Sequence, residues 1–131
     1  MQMKLELVPL PVTDIDRAIR FYTEQVGFVL DVDVAPADGV RFVQLTPAGS
    51  GCSISLSSGV PSLAKMAPGG LHGVHLVVND IDAAHAELRG RGVDVSAIWD
   101  VGGGVRYAEF NDPDGNSLLL QEMAWRTGDD F

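Results

Sequence analysis

The stretch GVHLVVNDID at residues 73–82 and the earlier LVPLPVTDID at 7–16 are written on one frame. Each alternates apolar positions and then runs into Val-x-Asp-Ile-Asp, so each reads as a strand that hands over to a helix start. A second correspondence lies downstream: Val40-Arg41-Phe42-Val43-Gln44-Leu45 matches Val105-Arg106-Tyr107-Ala108-Glu109-Phe110. The two correspondences differ in offset by a single residue. In-register self-similarity of this kind marks a duplicated module with one gap.

Each module reads as strand, helix and three strands. In the first half, residues 4–11 alternate as a strand, and Asp14 is placed to cap the next turn, its carboxylate accepting from free backbone N–H groups. Ile15, Ala18, Ile19 and Tyr22 recur at helical spacing, and Gly27 marks the stop. Strands are predicted at 28–34, 40–46 and 52–57, separated by Ala37-Asp38-Gly39 and Pro47-Ala48-Gly49-Ser50-Gly51. In the second half the strand is 73–79 and the helix runs from Asp80 to Arg89, with Ile81, Ala84 and Leu88 inward. Strands near 93–99, 104–111 and 116–123 follow, the last two joined by the turn Asp112-Pro113-Asp114-Gly115. The predicted organisation is therefore a first βαβββ module over 1–58, a linker at 59–71, a second module over 72–124 and a tail at 125–131. The class is α+β, with the two modules forming a curled, cup-like mixed sheet and the helices on its outer face.

Composition narrows the function. A net charge of −9 argues against nucleic acid, which demands a face of Lys and Arg, and favours a neutral or cationic small ligand. No run approaches the ~18 apolar residues of a membrane helix. The start, MQMKLELVPL, has no charged segment leading into a long apolar one, so no secretory signal is expected. The single Cys52 forbids an internal disulfide and fits a reducing cytoplasm. The glycine run at 102–104 is followed by no Lys-Ser/Thr pair and opens no helix, so it is no phosphate loop.

The paired modules, the V-x-D-I-D helix start, FYTEQVGF at 21–28 and NDPDGN at 111–116 resemble the vicinal oxygen chelate superfamily. That group includes glyoxalase I, extradiol dioxygenases, methylmalonyl-CoA epimerase and the fosfomycin- and bleomycin-resistance proteins. The resemblance spans roughly residues 4 to 123. It implies a homodimer whose two clefts each form between two chains. In the enzymatic members it implies a divalent ion held by His, Gln or Glu, at positions that here are Leu7, Ser55, Gly73 and Leu119. Leucine and glycine side chains cannot coordinate and a lone serine hydroxyl is a poor ligand, so no metal and no other cofactor is expected.

What should line the cup follows from the period of two along a strand. If Phe110 and Leu45 pack against the helices, Tyr107 and Glu109 face the cup, with Phe42 and Gln44 as their counterparts. Fosfomycin-resistance relatives, by resemblance, also turn the positions of Tyr107 and Glu109 toward the ligand. Leu7, Pro9 and Pro11 join from the first strand and Leu119 and Gln121 from the last, with Trp99 ending a strand whose continuation, DVGGG, can bend open. His75 falls on the cup side too. It could bond a neighbour, touch the ligand, or start a relocated metal site with Gln121 and Glu109. His72 and His85 are expected at the surface.

Such a wall is mostly apolar with a few polar groups, the make-up of a small-molecule pocket. Three functions are compatible with it. The first is metal-independent binding and sequestration of a hydrophobic or aromatic small molecule, of the antibiotic-resistance type. The second is a glyoxalase-type lyase, isomerase or dioxygenase, metal-dependent or using Glu109 or His75 as general base. The third, a docking cup for another macromolecule, has no basic face or exposed docking helix to support it. The first is the expected one.

Overall fold

A computed structural model describes all residues, 1–131. The first half contains β1 (Leu7–Pro9), α1 (Ile15–Arg20), β2 (Val29–Ala37), β3 (Val40–Thr46) and β4 (Ser53–Ser58). The second contains β5 (Val74–Val77), α2 (Ile81–Gly90), β6 (Trp99–Gly102), β7 (Val105–Asn111) and β8 (Ser117–Met123). Two four-stranded sheets result, ordered β1-β4-β3-β2 and β5-β8-β7-β6, open rather than closed into a barrel. In each, the first strand pairs parallel with the last and the other pairings are antiparallel. The duplicated sequence has become a duplicated topology.

The helix starts follow the caps read from the sequence. Asp14 accepts from the Arg17 N–H at 3.0 Å and Asp80 from the Ala83 N–H at 3.1 Å. Downstream of α1 the helix widens into a π-helical turn, Phe21–Val26, which ends at Gly27 in the left-handed region (φ 92°). That turn buries two consecutive rings, Phe21 and Tyr22.

Two expected strands differ most, while β2 runs on to Ala37 and β5 is confined to Val74–Val77. The strand predicted at 4–11 is confined to Leu7–Pro9. The Leu10 N–H still donates to the Ser55 carbonyl at 2.9 Å, but β1 is an edge strand on which Pro9 and Pro11 offer no donor to anything beyond it, and residues 1–6 stay exposed. The strand predicted at 93–99 instead begins at Trp99, and DVGGG continues it to Gly102 rather than bending away. Val93 and Val95 are buried, which explains their alternation. Beside them, however, the Ser96 hydroxyl accepts the Glu109 N–H at 2.9 Å, a side chain standing where a backbone carbonyl would continue a ladder.

A single core joins the halves. Val43, Leu45, Ile54 and Leu56 enter it from the first sheet, and Ala108, Phe110, Leu118 and Leu120 from the second. Phe21 meets Phe110 across the junction with ring centroids 6.4 Å apart. The Tyr22 hydroxyl donates to the buried Asp112 at 2.9 Å, and the Asn116 amide donates to the Pro11 carbonyl at 2.8 Å. The two helix-bearing faces thus share one interior, and the opposite, concave faces are left open.

Candidate ligand-binding site

Alternation fixes what each concave face presents. Because Ala108 and Phe110 point into the core, Tyr107 and Glu109 point out of it. Register then aligns Trp99, Tyr107, Gln121 and Val77 in one row across the second sheet, and Glu109, Leu119 and His75 in the next. The Trp99 and Tyr107 rings lie 5.7 Å apart at 35°, and His75 meets Tyr107 edge-on at 5.6 Å. The Gln121 amide donates to the Tyr107 hydroxyl at 3.2 Å. Trp99 remains 40% exposed, an indole face with no protein partner over much of its area.

His75 has its Nδ1 2.6 Å from the Gly73 carbonyl. A carbonyl can only accept, so Nδ1 carries the proton and Nε2 is the free acceptor of the neutral ring. His75 and Glu109 sit on either side of Leu119, hence two strand spacings or roughly 10 Å apart. His72 is exposed, and His85 is half-buried with Nε2 2.8 Å from the Ser96 carbonyl.

The first sheet presents a different surface. Phe42 and Gln44 lie outward, alternating with the buried Val43 and Leu45, and Leu7 and Pro9 lie beyond β4 on β1. Ser53, Ser55 and Ser57 share this face, since Ile54 and Leu56 point into the core. Gln44 donates to the Ser53 hydroxyl at 3.0 Å, and Thr46 bonds both Ser53 and Asp31. The hydroxyls of Ser55 and Ser57 are buried without a partner. This serine row, with Thr46 and Asp31, was missed in the sequence. The signal lies in the polar–apolar alternation of SISLS at 53–57.

The residues of the second face are thus brought together, as are Phe42, Gln44, Leu7 and Pro9 on the first. The two sets are not brought to each other: their contacts run within their own sheets. Recesses bounded by a single chain lie at the edges of these faces or apart from them, and one of about 290 Å³ is lined by His75 and Val77 together with residues 47–51, Arg126 and Phe131. One of about 430 Å³ sits between α2 and the end of the π-helical turn, lined by Phe28, Leu88, Leu120 and Phe131. Another, of about 390 Å³, touches the site only at its rim, through Trp99 and Glu109.

Charge is also segregated. Arg41 is tied to Asp16 and Asp33, both at 2.9 Å, and Arg106 to Glu122 at 2.8 Å and Asp82 at 3.1 Å, all toward the helices. The Arg41 guanidinium holds the Asp33 carboxyl below its usual range by hydrogen bonding. Leu7, Ser55, Gly73 and Leu119 offer one hydroxyl among them, a donor set that does not fit a Zn, Ni, Mn or Fe ion. Nor do three His, Cys, Asp or Glu side chains gather anywhere in the chain at metal-holding distance.

Paired βαβββ modules that share a core and leave concave faces open define a class of duplicated α+β proteins. The chain belongs to the Glyoxalase/Bleomycin resistance protein/Dioxygenase superfamily, whose model matches residues 4–120. Among solved structures it is similar to TnmS3, an antibiotic binding protein from Streptomyces sp. CB03234. The two share 37% identity over 93% of this chain and 97% of that one, with a TM-score of 0.81. It is also similar to a glyoxalase/bleomycin resistance protein from the same Streptomyces strain (38% identity, 89% and 98% covered, TM-score 0.75). A member of the superfamily from Sphaerobacter thermophilus DSM 20745 shares 32% identity, with 92% and 98% covered and a TM-score of 0.80. No curated protein matches the chain significantly.

Proposed function

We propose that this protein binds and sequesters a hydrophobic or aromatic small molecule, neutral or cationic, without a metal ion. The cleft is completed when the concave face of one copy meets that of a second. The observation that carries this reading is the aromatic row of Trp99 and Tyr107, flanked by His75, on the face turned away from the core, with Trp99 40% exposed. Flat rings stack on such a row, each good pair contributing roughly 0.5–1.5 kcal/mol beyond area burial. Likeness to a protein described as antibiotic binding supports the ligand class. Sequestration requires affinity alone, and His75 and Glu109 are too far apart to act as a direct acid–base pair. Cytoplasmic residence belongs to the same proposal, in keeping with the lone, half-buried Cys52.

The test is a fluorescence titration with aromatic antibiotics, reading Trp99 and Trp125, in the presence of EDTA. Saturable binding at micromolar levels is expected, with no loss on chelation. About one transition-metal ion per subunit, with binding or turnover abolished when it is stripped, would overturn the metal-independent reading.

A further inference from the structure

The serine row on β4 carries a second claim, which rests on the sequestration reading. Ser53 is satisfied by Gln44 and Thr46, but the hydroxyls of Ser55 and Ser57 are sealed and unpaired. Ser55 is 1% exposed. Their neighbours in register explain why the fold cannot satisfy them. Beside Ser55 stand Pro9, which has no N–H, and Gln44, whose amide is turned to Ser53 and Glu6. Beside Ser57 stands Phe42, whose side chain is all carbon. Unpaired buried hydroxyls are destabilising and rare, and two in succession on a ligand-facing strand call for a partner from outside the chain.

We infer that Ser55 and Ser57 form a polar subsite for the guest, taking two oxygen or nitrogen substituents on one edge of a fused-ring aromatic. Residues two apart on a strand are roughly 6.7 Å apart, which sets the spacing of those substituents. A hydroxyl both donates and accepts, so the subsite takes phenols and carbonyls alike. The guest reaches it by displacing the side chains of Phe42 and Gln44 on β3, while Trp99 and Tyr107 of the facing module hold its ring face. One half of the cleft thus reads the ring and the other reads its oxygens.

Two probes separate these roles: naphthalene, and 2,7-dihydroxynaphthalene, which adds two hydroxyls along one long edge at a spacing close to that of the two serines. Titrated against the protein, the diol is expected to bind roughly tenfold more tightly than naphthalene. The double substitution Ser55→Ala/Ser57→Ala should abolish that preference and leave naphthalene affinity unchanged, whereas Ser58→Ala, on an exposed position, should leave both. The double variant should melt no lower than the wild type, because the hydroxyls it loses had no partner in the fold. An absent preference in the wild type, or one that survives the double substitution, overturns the subsite. So does a lowered melting temperature with the preference intact, which would assign the hydroxyls to the fold. Failure of both probes to bind would sink the sequestration reading itself, and this inference with it.

Discussion

Tyr22 is fully buried, and its hydroxyl reaches the carboxylate of Asp112 from the opposite half of the chain. Helical spacing placed its ring inward, but no local pattern announces a partner ninety residues away. Tyr22→Phe removes a hydrogen bond to a buried charged acceptor and should cost about 1.5–3 kcal/mol in urea unfolding at neutral pH. Burial, then the charge of Asp112, raises the Tyr22 pKa far above its ordinary value. The protonated form is therefore favoured in the folded state. Its contribution is fully present below the unfolded value of about 10 and falls as pH rises beyond it, where the unfolded chain ionises first. Stability of the wild type should decline above about pH 10 more steeply than that of Tyr22→Phe. The ring residues of the concave face behave differently. Trp99→Ala or Tyr107→Ala should weaken uptake of an aromatic ligand about tenfold, with little change in melting temperature. Loss of folding in either variant would reassign that ring to the core.

Elements were legible where side chains supply their own signals. Asp14 and Asp80 announce both helices because a carboxylate three residues ahead of a free N–H is a local, short-range device. Asp80→Ala should cost roughly 0.5–2 kcal/mol, measured by urea unfolding, and should not unravel α2 altogether. There the Ile81 N–H is held independently by Glu122 at 2.8 Å. Pairing was less legible. Alternation at Val93 and Val95 correctly reports burial, yet burial and ladder formation are separate facts, and Ser96 divides them. The prolines at 9 and 11 mark β1 as an edge strand on paper, since their missing donors are visible in the sequence. The serine row was equally visible as an alternation. What alternation could not convey is that Ser55 and Ser57 go unpaired, because that depends on which way the Gln44 amide turns.

At the level of the whole molecule, duplication was the readable fact and the relation between the copies was not. The facing of Tyr107, Glu109, Phe42 and Gln44 followed from period two, and those positions do lie opposite the core. Which sheet meets which face depends on contacts such as Phe21 with Phe110, far apart in sequence. If a second copy completes the cleft, sedimentation should show a dimer, and ligand affinity should fall once dilution takes the protein below its self-association constant. Affinity unchanged in a demonstrated monomer would place the whole site within one chain.

The bonds between the halves carry a consequence for a broken backbone. Thr13 bonds Asp114, Asn116 bonds Pro11 and Tyr22 bonds Asp112, all without help from the peptide that connects them. A protease nick among residues 61–68, most of which are exposed, should therefore yield two fragments that co-elute as one species. Made apart and then mixed, the same fragments should find each other, as a ruptured seam closes when its teeth are intact.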